Sequence, residues 1–301
     1  MAAATHAAAP GAPAPATPAS GGRPRRTRTP RWRTALRYAA LVVVLLIMIG
    51  PFLWQLSTSF KGTTEDIYTS PPRLLPAHPT FANYGHVADT IPVWDFVLNS
   101  VKVAVSNVAT NVVGAAMAGY ALARLRFRGR GAAGIVFVLA LLVPMEATML
   151  AQFATMRSLE LNNTLVAVVL PGCIGAMNVL LMRNAFGAIP YEIEEAAVVD
   201  GANVWQRFTR IALPAVKGTL AVVAIFSFMG AWDDFLWPLI VLSDSDHFTL
   251  TVGLNFLHGT FSNDQRVVAA GTIIAVAPLI VMFACLQRFF FRGVGEGAVK
   301  G

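Results

Sequence analysis

The stretch Met182–Pro214 reads MRNAFGAIPYEIEEAAVVDGANVWQRFTRIALP and has the pattern of two short helices separated by a glycine. Pro190 suits the first turn of the first helix, and the acidic residues after it favour the positive end of the helix dipole. Gly201 suits the end of that helix, because glycine adopts a left-handed conformation at little cost. Asp200 or Asn203 can cap the second helix. We therefore predict a polar loop of two short helices.

The second helix of this loop carries an apolar stripe at helical spacing, formed by Val204, Phe208 and Ile211. Small side chains at Ala196 and Ala197 would let a partner approach the first helix closely. A docking element has such a surface, but a helix that only lies on the bilayer has the same amphipathicity. The pattern alone leaves both interpretations open.

Apolar segments flank this loop on both sides. The chain has 55% hydrophobic and 13% charged residues and a mean hydropathy of +0.59, whereas soluble domains carry about 25% charged residues. Hydropathy predicts six transmembrane helices of roughly 20 residues or more, enough to cross a bilayer. They lie at about 36–56, 98–123, 132–152, 164–183, 217–242 and 267–287. The sequence thus predicts an all-α, multi-pass protein of the cell (plasma or inner) membrane.

The basic residues predict how these helices are oriented. Of the 23 Lys and Arg residues, 18 fall in the two tails and in the alternate loops, and five fall on the opposite side. Because loops rich in Lys and Arg stay in the cytoplasm, we expect both termini and the Met182–Pro214 loop to be cytoplasmic.

The first 35 residues differ in composition from the rest of the chain. Residues 1–35 are rich in Ala, Pro, Gly, Thr and Arg and have few bulky apolar side chains, so they predict a disordered basic tail before a membrane domain at 36–301. A secretory signal peptide is the alternative. However, the apolar run Ala39–Trp54 exceeds a usual signal core, and no small-residue cleavage site follows it.

Three short motifs lie in fixed order in the Met182–Pro214 loop. They are Glu195-Ala196-Ala197, Asp200-Gly201-Ala202 and Ile211-Ala212-Leu213-Pro214. Together they strongly resemble the EAA loop of ABC importer permeases, in which coupling helices sit in a cleft of a cytoplasmic ATPase subunit. The resemblance implies ATPase-coupling roles for Glu195, Ala196, Ala197, Asp200, Gly201, Leu213 and Pro214.

The same resemblance implies the partners. They are a second homologous permease subunit, two cytoplasmic ATPase subunits, an extracytoplasmic solute-binding protein and membrane lipid. ATP and Mg would be used by the ATPase subunits, and this chain would bind no cofactor. The closing glycines of Gly293–Gly301 also lack the Gly-Lys-Ser/Thr of a phosphate-binding loop. We therefore predict a transport subunit that is not itself an enzyme.

Further segments resemble the carbohydrate-type permeases, in particular the second permease of maltose transporters. They are Pro79–Tyr84, Asn99-Ser100, Leu159–Leu161 with Asn163-Thr164, Trp232–Phe235 and Gly293–Gly301. Asp233 departs from that family, which more often has Asn at this position. The resemblance implies import of a sugar or oligosaccharide, with a polyol, a glycerol-phosphate-type compound or a peptide as the alternatives.

Polar residues inside apolar segments indicate where a cargo would pass, because unpaired polar groups in hydrocarbon cost several kcal/mol. The candidates are Asn107, Asn111, Asn178, Trp232, Asp233 and Asp234. Interhelical hydrogen bonding is the alternative for the first two, which lie one turn apart near Gly114 and Ala118. An interfacial anchor is the alternative for Trp232.

Several other functions are disfavoured by the sequence. The net charge of +7 is spread between apolar segments, which argues against nucleic-acid binding. Cys173 and Cys285 lie in apolar runs and predict buried thiols, not a metal or disulfide framework. All five His residues fall outside the predicted spans, and no nucleophile with a base lies within them. This disfavours the remaining alternative, an intramembrane enzyme or an ATPase-independent channel.

Overall fold

The computed structural model describes residues 31–71, 73–257 and 264–298. Every regular element in these ranges is a helix, as the predicted all-α class requires. The chain divides into two compact units, Met1–Gly50 and Pro51–Gly301. Most of the predicted tail lies outside the described residues, and its last residues, from Arg31 onward, begin the first helix.

The α-helices differ widely in length, because proline and polar residues interrupt several apolar segments. In chain order they are α1 Arg31–Ser59, α2 Ala82–Thr90, α3 Val93–Arg124, α4 Arg130–Ala140, α5 Met145–Ser158, α6 Leu165–Val169, α7 Ala176–Gly187, α8 Tyr191–Val199, α9 Val204–Gln206, α10 Leu213–Ala215, α11 Lys217–Asp233, α12 Leu236–Val241, α13 Leu250–Leu257 and α14 Gln265–Ala298. A π-helix, Arg207–Ala212, joins α9 to α10, and 3-10 turns lie at Leu170–Gly172 and Ser245–His247.

Three of the described helices are long and apolar enough to cross a membrane alone. They are Trp32–Ser59, Val93–Arg124 and Gln265–Cys285. Three further helix pairs have the composition of a span but bend by 105° between α4 and α5, by 45° between α6 and α7, and by 80° before α11. The count reaches six when each bent pair is taken as one span.

The structure corrects two of the predicted spans. The span expected at 132–152 breaks before Pro144, which lacks a backbone N–H and has an extended conformation, with φ −64° and ψ 138°. The span expected at 217–242 breaks after Asp233, where Asp234 is extended with ψ 125°. By contrast, the interruption expected at Pro171-Gly172 is present as a 3-10 turn.

The two cysteines are also less buried than the sequence predicted. Cys173 is half-buried and Cys285 is exposed on α14. An apolar helix face suits contact with lipid as well as contact with a protein core, so an apolar run does not by itself predict a buried thiol.

Helix α3 forms the centre of the second unit, and α7 and α11 pack along it. Gly119 lets α3 and α7 approach closely, because a Cβ atom there would lie 2.6 Å from Cβ of Met182. The core around this contact includes the buried side chains of Val179, Phe186 and Val223. The packing brings the end of α3 beside the Met182–Pro214 loop.

Polar residues of the segments that resemble carbohydrate-type permeases fix the loops at the other end of α3. Asn83 donates to two backbone carbonyls of the turn that follows α1. The hydroxyl of Ser100 accepts from the backbone N–H of Leu250. The Asn163 amide oxygen accepts two backbone N–H groups that follow α12. These side chains therefore have structural roles in the loops.

Candidate functional site

The Met182–Pro214 loop folds as the predicted pair of short helices. Pro190 occupies the cap position before α8, and Gly201 follows α8 with φ +81°, in the left-handed region. The backbone N–H of Ala202 reaches back to the carbonyl of Ala197 at 2.8 Å, which closes the turn. Asn203, one of the two predicted caps, begins α9 in a capping box with Gln206, with both hydrogen bonds at 2.9 Å. The predicted stop and start are confirmed.

Most of the residues predicted for coupling are exposed. The exposed ones are Glu195, Ala196, Asp200, Gly201 and Pro214. Ala197 is buried against the protein, and Leu213 is half-buried. Large apolar side chains are exposed beside them, with Val199 at 87% and Trp205 at 62%. We call the exposed residues of 195–205 the α8–α9 surface.

The sequence did not predict how α8 is fastened to the membrane helices. Arg124, the last residue of α3, has a side chain only 1% exposed and lies beneath α8. Its guanidinium donates to the carbonyl of Phe186, at 2.9 Å from Nε and 2.5 Å from Nη2, and also to the carbonyl of Ile189. It also lies 4.4 Å from the ring centre of Tyr191. One side chain therefore joins α3 to the end of α7 and the start of α8.

Glu194 completes this anchor from α8. Its carboxylate lies 3.4 Å from Nε of Arg124 and 3.8 Å from Nη1 of Arg207, and its side chain is only 8% exposed. Two arginines from different elements thus meet one buried carboxylate. In the sequence Arg124 counts only as a basic loop residue, and Glu194 is one of three acids near the helix start. The neighbouring acid Glu195 is exposed. In the sequence, only the positions of the acids along the helix separate the buried Glu194 from the exposed Glu195.

Aromatic side chains pack on the inner side of the same junction. The ring of Tyr120 lies 5.4 Å from Phe186 and 5.1 Å from Phe208, between centroids. Phe208 belongs to the predicted apolar stripe of the second loop helix and is buried, whereas Val204 is exposed. The stripe therefore faces the protein at Phe208, which disfavours a helix that only lies on the bilayer.

A second candidate site is a cavity between α3, α7 and α11. Its volume is about 230 Å³. The cavity brings together the candidates Asn107, Asn111, Asn178 and Asp234, with Ser227 beside them. Gly172 and Gly175 form part of its wall at the break between α6 and α7.

The side-chain amide of Asn111 connects α3 to this break through both its nitrogen and its oxygen. Its Nδ2 donates to the carbonyl of Gly172 at 2.8 Å and to Oδ1 of Asn107 at 2.7 Å. Its Oδ1 accepts from the backbone N–H of Gly175 at 2.8 Å and from Nδ2 of Asn178 at 2.9 Å. The break leaves backbone groups without helical partners, and Asn111 satisfies two of them. The interhelical alternative therefore describes Asn111 well.

The other polar groups of the cavity have capacity left for a ligand. Nδ2 of Asn178 also donates to the hydroxyl of Ser227 at 3.1 Å, which leaves the hydroxyl hydrogen free to donate elsewhere. Within the described residues, Nδ2 of Asn107 donates to no protein atom, and a carboxylate at Asp234 can only accept. The cavity thus offers donors and an acceptor to a neutral polar molecule.

Two of the candidates lie away from this cavity. Trp232 is 3% exposed, stacks on Phe228 at 5.5 Å and donates from Nε1 to the carbonyl of Ala275 at 3.0 Å. This packing joins α11 to α14 and gives the indole N–H a partner within the protein. Asp233 is exposed and does not line the cavity. In the part of the chain that the structure describes, no group of three His, Cys, Asp or Glu side chains could hold a metal ion.

Comparison with known proteins gives consistent results. Residues 111–296 match the family described as binding-protein-dependent transport system inner membrane component. The chain is 32% identical to the arabinooligosaccharides transport system permease protein AraQ of Halalkalibacterium halodurans, over 86% of this chain and 93% of that protein. It is 33% identical to the lactose transport system permease protein LacG of Rhizobium radiobacter, over 88% of this chain and 96% of that protein.

A solved structure has a similar fold over nearly the whole chain. It is the crystal structure of a bacterial ABC transporter involved in the import of the acidic polysaccharide alginate, with a TM-score of 0.76 and 25% identity. The similarity covers 89% of this chain and 100% of the solved chain. The resemblance carried by the three loop motifs is confirmed. The chain therefore belongs to the family of binding-protein-dependent transport system inner membrane components, and it is a permease subunit of an ABC importer in the cell membrane, not an enzyme.

Proposed function

We propose that this permease carries a sugar or oligosaccharide into the cytoplasm. The observation that carries the proposal is the similarity, over most of the chain, to permeases named for oligosaccharide and lactose transport. The cavity between α3, α7 and α11 supports it, because amide and hydroxyl groups are suited to the hydroxyls of a neutral sugar. The proposed contacts are Asn107, Asn178, Ser227 and Asp234, whereas Asn111 holds the wall in place.

The α8–α9 surface is the proposed contact with an ATPase subunit. Exposed apolar side chains beside small and charged residues are typical of a docking surface. Glu195, Ala196, Asp200 and Gly201 would face the partner, while Ala197, Leu213 and Pro214 would shape the loop behind them. Closure of the ATPase subunits would then pull on α8, and the membrane helices would open outward to the loaded binding protein.

The proposal includes the topology and the partners that the sequence predicted. Six spans, three of them bent, would place both termini and the α8–α9 surface in the cytoplasm, as the distribution of basic residues requires. The complex would contain a second permease, two ATPase subunits and an extracytoplasmic solute-binding protein. ATP and Mg would bind to the ATPase subunits.

Uptake of radiolabelled mono- and oligosaccharides, in cells that carry or lack the gene, tests this function. We expect loss of uptake of one carbohydrate, restored by the wild-type chain and by Glu146→Ala, an exposed acid of α5. Glu195→Ala and Gly201→Asp should fail to restore it. If no carbohydrate depends on the gene, the carbohydrate proposal is wrong, and the same panel extended to polyols, glycerol phosphates and peptides identifies the cargo. If Glu195→Ala and Gly201→Asp transport as well as wild type, the coupling role is wrong.

A further inference from the structure

A separate cavity lies at the cytoplasmic end of α3, between the start of α4 and the end of α7. Its volume is about 390 Å³. Two guanidinium groups, those of Arg130 and Arg183, line it together with apolar side chains. It is distinct from the α8–α9 surface and from the polar cavity, and neither proposed role uses it.

In the part of the chain that the structure describes, the two arginines have no acidic partner. Arg130 donates from Nε to the carbonyl of Leu122 at 2.7 Å and from Nη2 to the carbonyl of Ala123 at 2.9 Å. These bonds fix the guanidinium against the end of α3 but leave its charge uncompensated, because carbonyls are neutral. Neither Arg130 nor Arg183 takes part in an ion pair within the described residues.

Gly134 gives the second guanidinium its place. A Cβ atom at Gly134 would lie 3.5 Å from Nη1 of Arg183 and 3.9 Å from its Cζ, so Arg183 extends across the bare backbone of α4. Gly134 itself is buried. Arg183 and Arg130 therefore bring their positive charges to the lining of the same cavity.

The cavity continues from these charges into apolar surface. Leu122 forms its inner wall, and Ile135 and Val138 lie along α4 with exposed fractions of 59% and 47%. Val138 lies eight residues after Arg130, which is about 12 Å along a helix. A ligand that fills the cavity must therefore be anionic at one end and apolar at the other.

We propose that this cavity binds one anionic phospholipid, with its phosphate at Arg183 and Arg130 and an acyl chain along Ile135 and Val138. Guanidinium groups match phosphate oxygens in charge and in hydrogen-bond geometry. The site lies where apolar helices end, which is the depth of lipid headgroups, and basic pockets between membrane helices on the cytoplasmic side suit such headgroups. The lipid would hold α4 and α7 together beside the coupling loop, whatever the cargo.

The test uses the complete transporter in nanodiscs with a trace of phosphatidylglycerol that carries a photoreactive group on its acyl chain. We expect crosslinks in the α4 peptide that contains Ile135 and Val138. At probe levels below saturation, Arg183→Gln should reduce this labelling about fivefold, because a basic residue near an anionic surface contributes about 1 kcal/mol. Arg183→Glu should reduce it further. Arg157→Gln, at an exposed arginine of α5, should leave it unchanged.

Three outcomes would overturn the proposal. The first is equal labelling of the α4 peptide by a phosphatidylcholine probe, which carries no net charge. The second is labelling of Arg183→Gln and Arg183→Glu at the wild-type level. The third is loss of labelling when excess inorganic phosphate is added, because that result would assign the site to a free anion and not to a lipid.

Discussion

Replacement of Glu194 by Gln should loosen α8 from the membrane helices without changing its shape. The substitution keeps the volume of the side chain and removes the charge that faces Arg124 at 3.4 Å and Arg207 at 3.8 Å. Both charges of the closer pair are almost fully buried, with side chains 1% and 8% exposed. The local free energy that holds α8 in place should therefore fall.

The magnitude follows from the geometry. Within the described residues Oε1 of Glu194 makes no hydrogen bond, so the effect comes from charge: Glu194→Gln leaves the buried Arg124 without a counter-charge, at a cost on the order of 3 kcal/mol. Arg124 keeps its bonds to the carbonyls of Phe186 and Ile189, so the loss should stay below the cost of removing Arg124 itself. Since 1.4 kcal/mol is a factor of ten, the open population of α8 should rise roughly 100-fold.

Hydrogen–deuterium exchange of the α8 peptide in the assembled transporter measures this population directly. Glu192→Gln is the matched control, because this substitution removes the same charge at an exposed position of the same helix. ATP hydrolysis per molecule of cargo should also rise for Glu194→Gln, since a loose α8 transmits less of the ATPase motion. Equal protection of the Glu194→Gln and Glu192→Gln peptides would refute the assigned anchor.

Three further substitutions separate the roles of single residues. Gly201→Val should reduce uptake, because a β-branched residue at φ +81° costs about 1–3 kcal/mol. Gly201→Asn should keep most of the uptake, and equal uptake by both variants would contradict the conformational role. Gly119→Leu should abolish a monodisperse peak in size-exclusion chromatography, because Cβ would lie 2.6 Å from Met182; a normal peak would show that α3 and α7 separate freely. Asp234→Asn should lower uptake about tenfold through loss of a charged hydrogen bond, while Asp233→Asn outside the cavity should not; equal effects would remove Asp234 from the cargo path.

Local signals in the sequence predicted the two short helices of the Met182–Pro214 loop well. Gly201 and Asn203 act through their own backbone and nearest neighbours, and the structure shows both in the expected conformations. The interruption at Pro171 follows equally from local chemistry, because proline cannot donate to the preceding turn. A proline, Pro144, also stands at the break in the third span, where high hydropathy suggested a continuous helix. However, α1 and α14 continue through Pro51 and Pro278, so a proline alone does not predict a break.

Tertiary contacts account for the parts that the sequence did not predict. Arg124 and Glu194 are 70 residues apart in the chain, and each is one of several charges in its segment. Only the packing of α8 against the end of α3 selects these two for burial. For Trp232, the position beside two acids in the sequence suggested a ligand contact. In the structure its indole N–H instead donates to a carbonyl of α14.

Helix α3 connects the two candidate sites, because each is fastened to it by one polar side chain. Arg124 holds the end of α7 and the start of α8, and Asn111 holds the break between α6 and α7 through Gly172 and Gly175. The two residues are separated by 13 positions, about 20 Å along a helix. Helix α7 therefore receives a bond from α3 at each of its ends, one beside the α8–α9 surface and one at the wall of the polar cavity. The displacement of α8 proposed for coupling would therefore act on the cavity wall through α3 and α7, because the same two helices are bonded to each other at both places.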